Sequence, residues 1–216
     1  MHVNINEAMR YLGAGDGDEA LRAQVEAVAG EIVQRPRSVY RAFHLEWTDG
    51  APSLPEIGMT LPGKTAATML RSCEMAVVLA CTLGVQFDAQ LRSAQARSMA
   101  KAVILDACGS TLVEQGCDEA EQEIAARFPG QFLTDRFSPG YGDLPLSLQG
   151  SICQALDAQK HLGIHVSDHM LMTPVKSVTA FIGISRSPQM ARIRGCAYCS
   201  MRETCKLRKG GKHCGL

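Results

Sequence analysis

The chain has 216 residues, 46% apolar and 20% charged, and its 22 basic and 22 acidic side chains give a formal net charge of zero. That length buries a sizeable core and suits one domain with a terminal appendage. Balanced charge points to neither nucleic acid nor a membrane surface as partner, and no apolar run approaches the length of a bilayer span.

The first residues, Met1-His2-Val3-Asn4-Ile5-Asn6-Glu7, lack the basic and then apolar segments of a signal peptide. With nine cysteines and no export signal, the expected setting is the reducing cytoplasm, where cysteines serve as thiols or metal ligands. Gly13-Ala14-Gly15-Asp16-Gly17-Asp18 reads as a turn leading into an amphipathic helix from about Glu19 to Gln34. These glycines follow no strand, which argues against a dinucleotide fingerprint. Ser38 to Trp47 alternates β-branched and aromatic residues as a strand does, and Asp49 to Pro55 has the composition of a loop. A helix is expected after Gly63, then a buried strand from Met75 to Ala80 and a break at Thr82-Leu83-Gly84. Helices follow over Val85–Arg97 and from Met99 to about Phe128, the latter interrupted near Gly116, and another runs from Ser147 to His161. Leu171 to Ile184 reads as two short strands separated by a break near Pro174. Beyond Ser185 basic residues and cysteine replace aliphatics, which divides the chain into 1–186 and a tail, 187–216.

Three patterns carry chemistry. Gly58-Met59-Thr60-Leu61-Pro62-Gly63-Lys64-Thr65 satisfies the G-x-x-x-x-G-K-[ST] phosphate-loop pattern, and Asp106 follows an apolar Val103-Ile104-Leu105. A working phosphate loop needs a buried strand immediately before it and a row of free backbone N–H groups. Here Pro52 and Pro55 spoil the strand and Pro62 removes a donor, so a loop and a capped helix are preferred to a nucleotide site. His161, His165 and His169 lie four apart, but Gly163, Ile164 and Val166 end the helix before they can share a face. In the tail, Cys196, Cys199, Cys205 and Cys214 form C-x2-C-x5-C-x8-C. Four thiolates so spaced close a tetrahedral zinc site or ligate an iron–sulfur cluster, and an adaptor of zinc-ribbon type is an alternative role for this segment. The remaining cysteines, Cys73, Cys81, Cys108, Cys117 and Cys153, sit in apolar contexts and are expected in the core.

The most informative stretch is Asp135-Arg136-Phe137-Ser138-Pro139-Gly140-Tyr141-Gly142-Asp143. Pro139 and Gly140 impose a tight turn that lets backbone approach a ligand, Arg136 offers a planar fork for a carboxylate or phosphate, and Tyr141 adds a ring and a hydroxyl. Arg136 to Tyr141 resembles the R-x-x-P-G-Y motif of the activation domain of cobalamin-dependent methionine synthase. Leu162 to Pro174 with Ser177-Val178-Thr179 resembles a second stretch of that family, and Leu105 to Glu114 resembles its long helix. The resemblance spans about residues 70 to 185. After Gly142 it lapses, since Asp143-Leu144-Pro145-Leu146 stands where the family has small residues, a cysteine and a histidine.

The resemblance implies an α+β fold of mixed helices and a mainly antiparallel twisted sheet. It also implies S-adenosylmethionine binding, with Arg136 on the ligand carboxylate, Asp106 on its ammonium, Ser138, Pro139, Gly140 and Tyr141 around it, and Glu114 as a further contact. The implied activity is reductive reactivation of a corrinoid methyltransferase, most simply methionine synthase in methionine biosynthesis. An electron donor such as a reductase restores the corrinoid and S-adenosylmethionine remethylates it. The cobalamin itself belongs to the partner, because the chain is too short to include that module.

Overall fold

The computed structural model describes residues 2–14 and 18–189, together with Ile193, Glu203, Lys209 and Gly211. The chain opens with α1 (Ile5–Tyr11), which the sequence reading did not anticipate. Its first turn is capped by the Asn4 side chain, which accepts from the Glu7 N–H. Asp18 caps α2 (Glu19–Gly30) in the same way. Expected to reach Gln34, this helix stops four residues earlier. Next come β1 (Arg37–His44), β2 (Glu46–Thr48), β3 (Ala51–Leu54), a 3-10 turn at Pro55–Ile57, and β4 (Met59–Thr60); β2, β3 and β4 pair antiparallel in succession, whereas β1 joins the main sheet. The segment around Pro52, expected as loop, is therefore the middle strand of a small sheet, β2-β3-β4. Pro52 is tolerated because its carbonyl is what the sheet uses, accepting from the Leu61 N–H.

Then come α3 (Lys64–Met69), β5 (Met75–Thr82), α4 (Val85–Arg97), α5 (Met99–Arg127) and β6 (Phe132–Leu133). The chain continues with α6 (Leu148–Ala155), α7 (Ala158–Leu162), β7 (His165–Val166), β8 (Met172–Thr173) and β9 (Ser177–Ser185). The helix expected over 147–161 is thus two, parted where Asp157 takes a left-handed φ of 48°. The main sheet has the order β1-β5-β9-β6 and is antiparallel throughout. Among the described residues no helix is long and apolar enough to cross a membrane.

The sheet is covered on both faces, which is why β5 is apolar along its length rather than alternating. Val77, Leu79 and Cys81 point into a core shared with α1, α2, α4 and α5. Ala76, Val78 and Ala80 point the other way, toward α3, α6, α7 and the small sheet. Each such Val or Leu contributes roughly 1.5–3 kcal/mol relative to exposure.

The 29 residues of α5 run unbroken through Gly109 and Gly116. A Cβ at Gly116 would lie 2.4 Å from Cβ of Pro36, and one at Gly109 would lie 2.3 Å from Cζ of Phe87. These glycines are notches into which neighbours fit, and the expected interruption at Gly116 is a packing contact instead. All five cysteines of the apolar segments are buried, and desolvation raises the thiols of Cys73, Cys108 and Cys153 to about 11.

Candidate functional site

After β6 the chain stays alongside β9, with Phe137 and Phe181 exchanging backbone hydrogen bonds of 3.0 and 2.8 Å. Because successive side chains alternate, Phe137 enters the core on the α3 side and Arg136 faces α5. There it meets Glu114 (2.7 Å), Asp118 (3.2 Å) and Glu121. The three acids are spaced i, i+4 and i+7, one stripe of the helix. The Arg136 side chain is only 6% exposed. Burial disfavours its charge, but the adjoining carboxylates of Glu121 and Glu114 outweigh that and keep the guanidinium protonated. Both guanidinium NH2 groups are thus taken up by carboxylates of α5. The free fork expected from the sequence is therefore engaged by its own chain.

The turn itself has the expected form. The Tyr141 N–H donates to the Ser138 carbonyl at 3.1 Å, and Gly140 at the third position has φ of 87°, the signature of a type II turn with Pro139 second. Its amide is not free for a ligand, since it donates to the Leu144 carbonyl at 2.8 Å. Pro139 is buried, Ser138 half-buried and Tyr141 38% exposed, its hydroxyl donating to the Ile193 carbonyl.

Asp143, where the family resemblance lapses, has a definite task. Its carboxylate accepts from the N–H groups of Lys64 (2.6 Å) and Thr65 (2.9 Å), the start of α3. Thr65's hydroxyl and these amides hold the carboxyl down to about 2. The donors that a phosphate loop would turn toward a nucleotide are thus taken by an internal anion. What precedes them is the two-residue β4 of an antiparallel sheet, not a buried parallel strand. This overturns the phosphate-loop alternative for Gly58–Thr65.

Asp106 lies about 12 Å before Glu114 along α5. Its carboxylate, 49% exposed, pairs at 2.9 Å with Lys176, a residue the sequence reading missed. Lys176 Nζ also donates to Ser110 Oγ at 2.9 Å. The Lys176 backbone is fixed from two sides. Its carbonyl accepts from the Leu83 N–H and from Thr82 Oγ1, while the preceding Val175 N–H donates to the buried carboxylate of Asp88. Val103 and Met99 lie about one and two turns before Asp106 on α5, Val175 directly precedes Lys176, and all three are exposed. Asp106, Ser110, Glu114, Asp118 and Glu121 therefore form one slowly winding polar stripe, clamped by Lys176 at one end and Arg136 at the other. Glu114 and Arg136 meet each other directly, and Asp106 is engaged with a different cation.

His161, His165 and His169 are all exposed, and α7 ends at Leu162 as the sequence suggested. Among the described residues no group of three or more potential ligands could hold a metal ion. Cys196, Cys199, Cys205 and Cys214 lie outside the described residues. A cavity of about 490 Å³ opens between the N-terminal helices and Leu112, and none of its lining residues belongs to either ion cluster.

No protein-family model matches the sequence, and no curated protein matches it significantly. The fold does have solved counterparts. The crystal structure of the MetH reactivation domain bound to AdoHcy superposes with a TM-score of 0.63 over 94% of this chain and 76% of that one, at 14% identity. The chain has the α+β fold of that domain.

Proposed function

We propose that this protein binds S-adenosylmethionine and serves the reductive remethylation of a corrinoid-dependent methyltransferase, with methionine synthase the first candidate. The observation that carries the reading is the likeness of nearly the whole chain to a reactivation domain solved with S-adenosylhomocysteine, the product of methyl donation. The polar stripe of α5 suits such a ligand: a half-exposed carboxylate at Asp106 for an ammonium, and apolar Met99, Val103 and Val175 beside it for the adenosyl body. In this reading Arg136 works by fixing Glu114 on the stripe, and Ser138-Pro139-Gly140-Tyr141 forms a wall beside it. S-adenosylmethionine supplies the methyl group and a reductase-type donor the electron. The chain's share is to hold the sulfonium in line with a corrinoid carried by the partner, a positioning task that needs no general acid or base. The reading places the protein in the cytoplasm, and gives the four tail cysteines a zinc ion or an iron–sulfur centre.

Calorimetric titration with S-adenosylmethionine tests it. Saturable one-to-one binding that weakens roughly tenfold or more in Asp106→Ala is expected, the loss of a charge-assisted contact. A flat titration of the folded wild-type protein overturns the reading. Anaerobic purification with iron, sulfide and zinc analysis decides which metal, if either, the tail holds.

A further inference from the structure

The S-adenosylmethionine reading leaves open which cation receives the carboxylate of the ligand's amino-acid end. Two cations reach the α5 stripe, and they differ in what they have left to offer. Arg136 is 6% exposed and surrounded by three carboxylates. Lys176 meets one carboxylate and one hydroxyl, both at 2.9 Å. An ammonium has three donors, and these two contacts use two of them. Its side chain is 12% exposed, so it is largely desolvated yet not closed off, and its partner Asp106 is half-exposed. An anion arriving there meets an opposite charge that still has a donor to offer.

Position is as informative as charge. The Lys176 backbone is pinned by Leu83, Thr82 and, through Val175, by Asp88. Its stem passes Gly109, where an added Cβ would come within 3.3 Å of Cγ. Ser110 holds the ammonium from below, and the Ser110 hydroxyl in turn donates to the Asp106 carbonyl at 3.1 Å. The head is thus placed before any ligand arrives and needs little reorganisation to act. A negative and a positive group lie side by side, the mirror of an α-amino acid's ammonium and carboxylate.

We infer that Lys176, with Asp106 and Ser110, forms the clamp for the zwitterionic end of the ligand, Lys176 taking the carboxylate and Asp106 the ammonium. Lys176 is then the residue by which the site distinguishes an intact amino-acid headgroup from a bare amine. This rests on the S-adenosylmethionine reading, and the test separates the two.

Wild type, Lys176→Met and Lys176→Arg are titrated calorimetrically with S-adenosylmethionine and with its decarboxylated analogue, which keeps the sulfonium and the amine. The expected result is that wild type binds the analogue roughly tenfold or more weaker, as for a lost charge-assisted contact. Lys176→Met, which keeps the length of the stem, weakens S-adenosylmethionine by a similar factor and no longer distinguishes the two compounds. Lys176→Arg keeps part of the preference. Wild type that binds both ligands equally, or a folded Lys176→Met that still prefers the intact headgroup, overturns the assignment. Wild type that binds neither overturns the reading beneath it. Should the variants not fold, amine acylation of wild type is followed by mass spectrometry. Lys176 is expected to label more slowly with S-adenosylmethionine than with the analogue, and equal labelling sinks the proposal.

Discussion

The two ion clusters on α5 use the same chemistry to opposite ends. At Arg136 a buried guanidinium meets three acids at once, with Glu114 38% and Asp118 53% exposed around it. At Lys176 a single pair stands half-open beside apolar side chains. The first has the marks of architecture: it ties the segment after β6 to the helix across the sheet edge. The second has a spare donor and a spare carboxylate oxygen. An arginine within a ligand-like motif is therefore no guarantee of a ligand contact. What decides is how much of its charge the fold has already answered.

That contrast can be broken most forcefully at Arg136. Arg136→Ala leaves three acids without their shared cation, and because the guanidinium is buried while the acids are partly solvated we expect a loss of about 3 kcal/mol. Urea denaturation measures it, and a loss near zero would make Arg136 as available as Lys176. Gly109→Ala comes next. The new methyl must displace the Phe87 ring and crowd the Lys176 stem, an overpacking cost of about 2 kcal/mol. Melting curves with and without S-adenosylmethionine should show lower stability and a reduced ligand-induced shift. Retention of the full shift would mean that the Lys176 position is not as fixed as its contacts suggest.

The smallest effect concerns Asp143, a fully exposed anion that provides a scale for the other two. Its folded pKa of about 2 lies below the ordinary value of 3.8, so the folded chain binds this proton less tightly than the unfolded chain. The stabilisation is complete above pH 3.8 and fades as pH falls toward 2. Asp143→Asn should therefore melt a few degrees below wild type near neutrality, roughly the effect of a lost helix cap, and the gap should close in that acidic window. A gap independent of pH would show that the carboxylate's charge contributes nothing.

Much of the frame was legible beforehand. The run Met75 to Ala80 has the continuous apolar character that only a strand buried on both faces needs, and Pro139-Gly140 dictated the type of turn observed. Local rules failed where a distant neighbour decides. Gly116 reads as a helix breaker until Pro36 and Cys81 are placed against it, and Pro52 reads as loop until Leu61 arrives to donate to its carbonyl. The stripe of Glu114, Asp118 and Glu121 could have been read from its spacing. That Arg136 would face it depended on the pairing with β9, a contact 44 residues away in sequence at Phe181. Lys176 gave no signal at all: a lone basic residue after Pro174-Val175 looks like any solvated charge.

One consequence of the glycine notches concerns measurement. With Phe87 and Pro36 seated into its backbone, α5 cannot slide or bend without remaking the core, so the interval from Asp106 to Glu114 behaves as a ruler that does not stretch. Whatever molecule lies along it is judged by its length, and the accommodation falls to the ends of a few side chains.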